Sequence, residues 1–86
     1  MHFIILFKFK GKPTRKFVKT FQTLLSKKIE GFKPYGLYWT FGSVNATWHV
    51  EAENLASVFS VALQFKDSAD LEVMPALSLE EGASLL

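Results

Sequence analysis

The chain has 86 residues, 49% of them hydrophobic and 15% aromatic, with two tryptophans, nine phenylalanines and no cysteine. That composition describes one folded domain and removes disordered segments, disulfide scaffolds, zinc ribbons, iron–sulfur clusters and thiol chemistry from consideration. The net charge of +2 conceals a split: residues 1–33 hold nine basic side chains and one acid, a net +8, whereas the remainder holds one basic side chain and seven acids, a net −6.

A domain this small hides only about 60% of its unfolded surface, less than its apolar content asks for, so we expect self-association to bury the surplus. Charge complementarity within or between subunits is the expected use of the split. The apolar run His2–Phe7 lacks a preceding basic region and a following small-residue cleavage site, and Lys8 and Lys10 interrupt it. It is read as neither a signal peptide nor a membrane span, and the expected location is the cytoplasm.

From His2 to Lys10, Phe3, Ile5, Phe7 and Phe9 share one parity while Ile4 and Leu6 add apolar character to the other. This is the pattern of a central strand buried on both faces. Gly11 to Thr14 turns the chain into a helix, capped by Thr14, or by Lys12 with Pro13 as first helical residue. Phe17, Val18, Phe21, Leu24, Leu25 and Ile29 follow at helical spacing until Gly31, and Arg15, Lys16, Lys19, Lys27 and Lys28 face outward.

Two runs of two-residue periodicity flank Gly42–Asn45 and predict a hairpin over residues 33–52. With Ser43 and Val44 as the loop, opposing residue numbers sum to 87. One face then pairs Phe41 with Ala46, Trp39 with Trp48, Leu37 with Val50 and Tyr35 with Ala52. The other pairs Thr40 with Thr47, Tyr38 with His49 and Gly36 with Glu51. A one-residue slip would mix the faces, so an odd sum, with a loop of two or four residues, is expected.

Glu53 or Asn54 caps a second helix, Leu55–Phe65, with no charge and only Ser57, Ser60 and Gln64 polar, all within roughly 60° of the helical wheel. Such a helix is expected to be covered on two sides. Lys66–Asp70 is a loop, and Leu71–Leu77 a last strand in which Pro75 favours an edge or strand end. Ser78 to Glu81 spells a capping box that opens a short tail from about residue 78. The order strand, helix, strand, strand, helix, strand with right-handed crossovers gives a single α+β domain over residues 1–86. It is the ferredoxin-like βαββαβ sandwich, with a four-stranded antiparallel sheet in the order 4-1-3-2.

The segment Gly36–Ala52, GLYWTFGSVNATWHVEA, resembles the GYD domain family, or a closely related uncharacterised family of the same superfamily, at Tyr38, Trp39, Thr40, Gly42, Val50, Glu51 and Ala52, and more weakly through Ala76–Glu81. Val44 and Asn45 stand where that family carries the Tyr-Asp of its name. The resemblance implies the dimeric α+β barrel superfamily, in which two ferredoxin-like subunits pack sheet against sheet. It implies no reaction, since that superfamily spans cofactor-less monooxygenases, haem-degrading enzymes and ligand-sensing domains.

His49 is the candidate with the most chemistry, with Thr47 and Glu51 on its face and Tyr38 opposite in the expected register. His49 as acid or base, Tyr38 as donor and Glu51 as orienter could hold a small polar ligand between subunits. We favour the plainer role of a hydrogen-bonded interface histidine, because no second recognised catalytic group accompanies it. His49-Val50-Glu51 matches the H-x-E of zinc deaminases, but that chemistry needs cysteine ligands. A metal would need His2, His49 and a carboxylate to converge, and no spacing predicts this, so no metal or other cofactor is assigned.

Trp39 and Trp48 are read as packing residues rather than as a ligand platform. The basic first helix lies behind the sheet in this fold, and the third strand lacks the Lys/Arg-Gly-Phe pattern of RNA-recognition motifs, so nucleic-acid binding is the least favoured reading. The expected function is a homo-oligomeric, non-catalytic small-ligand-binding or assembly module. The alternative is a cofactor-less monooxygenase or isomerase built on a His49-centred cavity.

Overall fold

A computed structural model describes residues 1–86. Its elements are β1 (His2–Phe9), α1 (Arg15–Ser26), β2 (Phe32–Trp39), β3 (Ala46–Ala52), α2 (Leu55–Ala62), β4 (Ala69–Ala76) and α3 (Leu79–Ala83), with a single 3₁₀ turn at Leu63–Phe65 continuing α2. The strands form one antiparallel sheet in the order β2-β3-β1-β4, the expected ferredoxin-like arrangement with β1 and β3 central.

Alternation along the central strands fixes which face is the core. Phe3, Ile5 and Phe7 of β1 are buried with Ala46, Trp48, Val50 and Ala52 of β3. Phe17 and Leu24 from α1 and Val58, Val61 and Phe65 from α2 and its 3₁₀ turn close over them, so both helices lie on one side of the sheet. Aromatic edges lock this core: the Phe7 ring meets Phe17 at 5.5 Å and Phe65 at 5.4 Å, both near perpendicular, and Trp48 meets Phe21 at 4.8 Å.

Both helix starts are settled by side-chain caps. Thr14, not Lys12, caps α1 by accepting from the Phe17 amide, and Asn54, not Glu53, caps α2 by accepting from the Ser57 amide. α1 ends at Ser26 rather than running to Gly31. The Ser26 hydroxyl donates to the Thr23 carbonyl at 2.9 Å, and Ile29 reaches the core from the following loop. β4 begins at Ala69, two residues before the expected start, because Ala69 and Asp70 pair with Phe9 and Lys8. It is an edge strand, which suits Pro75.

The hairpin departs most from its sequence pattern. Trp39 pairs with Ala46, Tyr38 with Thr47 and Leu37 with Trp48, a sum of 85. The sum is odd as expected, but Phe41–Val44 forms a four-residue loop closed by the Thr40 amide on the Asn45 carbonyl at 2.9 Å. The two tryptophans therefore do not oppose one another. Trp48 is fully buried, while Trp39 rests on Phe9 and Phe17 and stays 53% exposed.

Beyond Leu37 the register shifts, and Pro34 pairs with Val50. Tyr35 and Gly36 together oppose His49, a bulge placed in an edge strand next to a proline that has no amide to donate.

Candidate functional site

The sheet face away from the helices carries the site. Its central strands present His2, Ile4 and Leu6 from β1 and Thr47, His49 and Glu51 from β3, all half-buried. His2 pairs with Glu51 and Ile4 with His49, so strand register alone sets the two histidines diagonally across β1 and β3. The parity of β1, open in the sequence, is thereby fixed: Phe3 faces the core, so His2 faces the site.

The His2 Nδ1 and His49 Nε2 atoms lie 3.0 Å apart, a hydrogen bond in which one ring donates and the other accepts. The Tyr35 ring stacks on His49 with centroids 4.4 Å apart and planes 11° from parallel. Its hydroxyl donates to Glu51 Oε1 at 2.8 Å, and the Lys33 ammonium sits 5.1 Å from the centre of the ring. Glu51 Oε2 lies 4.0 Å from His2 Nε2, close enough for electrostatic attraction and too far for a hydrogen bond. Four side chains from three strands thus form one connected group.

The Tyr35 hydroxyl holds the Glu51 carboxyl below its ordinary value of 4.5; burial opposes it, and the charges of His2, the N-terminal ammonium and Lys33 add to the lowering. A cleft of about 310 Å³ opens beside the pair, lined by His2, Ile4, His49, Ala76, Leu77 and Ser78. A neighbouring cleft of about 590 Å³ adds Met1, Glu51, Pro75 and Glu81, so the start of the C-terminal tail borders the site.

This arrangement revises the membership expected from sequence. His49 and Glu51 stand together as expected, with Thr47 two positions along on the same face and paired to Leu6 and Tyr38. Tyr38 is not opposite His49. It is 66% exposed and folds over Gly36, where an added Cβ would lie 2.8 Å from the Tyr38 hydroxyl oxygen. Tyr35, assigned to the apolar face by the uninterrupted register, takes the tyrosine role instead, because the bulge turns it over. Pro34 and Gly36 on either side of Tyr35 were the available signal, since both residue types mark irregular strand positions.

The two ring nitrogens could chelate a cation as a pair, yet no group of three His, Cys, Asp or Glu side chains converges in metal-binding geometry. Glu51 approaches the far nitrogen of His2 rather than the one facing His49. What the group can do is hold a small molecule between donors and acceptors of both kinds, or pass a proton between His2 and His49 while the Glu51 carboxylate stabilises the charge electrostatically.

The chain belongs to the DUF3303 family, a domain of unknown function whose family model matches residues 1–86. GYD membership is not shown, and the matched family is one of unknown function. The chain is similar in fold to LrpC of B. subtilis, with a TM-score of 0.70 at 17% sequence identity over 90% of this chain and 50% of that one. It therefore spans about half the length of LrpC. No curated protein matches the sequence. No helix is long and apolar enough to cross a membrane.

Proposed function

We propose that this DUF3303 domain is a homo-oligomeric module that binds a small polar molecule between subunits, without catalysing its conversion. The observation that carries this reading is the half-buried state of the helix-free sheet face. Ile4, Leu6 and the His2–His49 pair lie there with no helix of their own subunit packed over them, and Tyr35 alone stacks on His49. Apolar side chains interleaved with hydrogen-bonding ones suit a cavity enclosed by a second copy, and the GYD-like run through Tyr38–Thr40 and Val50–Ala52 supports a sheet-to-sheet pairing of the α+β barrel kind. The fold draws on no disulfide and so requires no oxidising compartment, and we place the chain in the cytoplasm.

Native mass spectrometry at micromolar concentration tests the assembly. The wild-type chain is expected as a dimer or larger, and Ile4→Lys, which sets a charge on the proposed contact face, as a monomer with an unchanged circular dichroism spectrum. A wild-type monomer across the micromolar range would remove the reading. Chemical-shift changes at His2, Tyr35 and His49 on titration with small carboxylates, phenols and amides test the ligand.

A second reading, a cofactor-less oxygenase or isomerase, is favoured by one feature, the line of Glu51, His2 and His49. With the His2 Nε2 proton directed at Glu51, His2 Nδ1 accepts from His49 Nε2, leaving His49 Nδ1 as a base whose charge on protonation the line can share. Turnover of an enolisable or phenolic substrate that is lost in His49→Asn and reduced in His2→Asn would favour it. Binding without turnover in the wild type would favour the module.

A further inference from the structure

On the helix side, away from the histidine cluster, lies a second feature that the ligand site does not use. Leu55, Phe59 and Leu63 form an exposed stripe along α2 and its 3₁₀ continuation. Together with Ala62, Leu71 and Val73 they line a groove of about 450 Å³ between α2 and β4, with Lys10 and Lys66 at its far end. Lys10 is occupied by Asp70 at 3.9 Å and by the Lys66 carbonyl at 3.1 Å, whereas the Lys66 ammonium has no carboxylate within ion-pair distance.

The tail is the groove's complement in shape and charge. Leu79 and Ala83 stand at i and i+4 on one face of α3, and two tighter turns, closed by the Leu85 amide on the Gly82 carbonyl and the Leu86 amide on the Ala83 carbonyl, carry the chain on to Leu86. Leu79 is 88% exposed, Leu86 is fully exposed, and no residue of α3 is buried. So short a helix gains little from propensity alone and ordinarily needs an apolar face packed on something. Here the Ser78–Glu81 capping box organises the helix while its own subunit gives it nothing to pack on. Glu80, beside Leu79, has no cationic partner either.

We infer that the tail of one copy docks in the α2–β4 groove of another. Leu79, Ala83 and Leu86 lie along Leu63, Phe59 and Leu55, and Glu80 meets Lys66. The five residues of α3 span about 8 Å and leave room for the turns that follow within the about 18 Å of α2 and its 3₁₀ turn. The contact is a helix laid in an apolar groove. It joins two different surfaces, so it extends an assembly beyond a face-to-face dimer unless the exchange is reciprocal.

The absence of native cysteine gives a clean test by directed cross-linking. An isotopically labelled chain carrying Leu63→Cys is mixed with an unlabelled chain carrying Leu79→Cys, both exposed positions, and mildly oxidised. The crossed disulfide is expected at least tenfold above a control pairing Lys19→Cys with Leu79→Cys. Adding Lys66→Glu to the groove chain, or Glu80→Lys to the tail chain, lowers the yield at least threefold, and adding both restores it. A yield equal to the control, or one indifferent to charge reversal, overturns the inference. Running the same mixtures with Ile4→Lys in both chains separates this contact from sheet-face pairing, because the disulfide reads the groove and native mass reads the sheet face.

Discussion

Tyr35 shows how much one side chain's orientation decides. Its ring covers one face of His49 and its hydroxyl holds Glu51, so it joins the imidazole pair to the carboxylate. Because Glu51 titrates below its ordinary 4.5 in the folded chain, its ionised form stabilises the fold above pH 4.5, and that contribution is lost as the pH falls through the lowered value. Tyr35→Phe removes the largest cause, so the Glu51 midpoint followed by carboxyl ¹³C shifts is expected to rise toward 4.5. An unmoved midpoint would show that the surrounding positive charges suffice. Burial separates the other aromatics: Phe7→Ala empties a fully enclosed site and is expected to cost about 3–5 kcal/mol in urea unfolding. Tyr38→Ala, at an exposed ring, is expected to cost less than about 1 kcal/mol.

Among the elements, the helices were the more legible. Their caps and apolar spacing act within a few residues, and Thr14 and Asn54 each satisfy an amide of the first turn. Thr14→Ala and Asn54→Ala are each expected to lower stability by about 1 kcal/mol, read by urea unfolding, with little change in far-ultraviolet dichroism. The hairpin was legible in existence and in the core face of β3, but not in register. Strand pairing depends on contacts made outside the hairpin: the Asn45 amide donates to the Phe7 carbonyl at 2.8 Å, and its side-chain oxygen accepts from the Phe9 amide at 2.9 Å, fastening the loop end to β1. With Asn45 held there, the loop takes Phe41–Val44, and the bulge at Tyr35 and Gly36 absorbs the remaining mismatch. The sum of 87 treated β2 and β3 as if they were alone.

For the whole molecule, only 14 of 86 residues are buried, while Phe41, Leu79 and Leu86 are almost or wholly exposed. So small a core makes the isolated subunit marginal, and any association that covers these surfaces adds stability by mass action. The thermal midpoint is accordingly expected to rise with protein concentration between about 1 and 100 μM, and to lose that dependence in Ile4→Lys if the sheet face dominates. A midpoint independent of concentration in the wild-type chain would count against self-association through either surface. The charge split leaves few ion pairs inside the subunit, His2 with Glu51 and Lys10 with Asp70, so most of its complementarity is unspent within one chain.

The amino-acid sequence by itself determined the element order, the sheet topology and the apolar faces of β1 and β3, and narrowed the caps of α1 and α2 to two candidates each, because these follow from periodicities of two and 3.6 residues and from local hydrogen bonds. Its apolar surplus likewise pointed beyond one subunit. Only the tertiary structure decided that His2 shares a face with His49, that Tyr35 rather than Tyr38 completes the group, and where the uncovered apolar stripe of α2 lies. Each depends on pairing between segments tens of residues apart, where one bulged residue reverses a side chain and no local rule records the change.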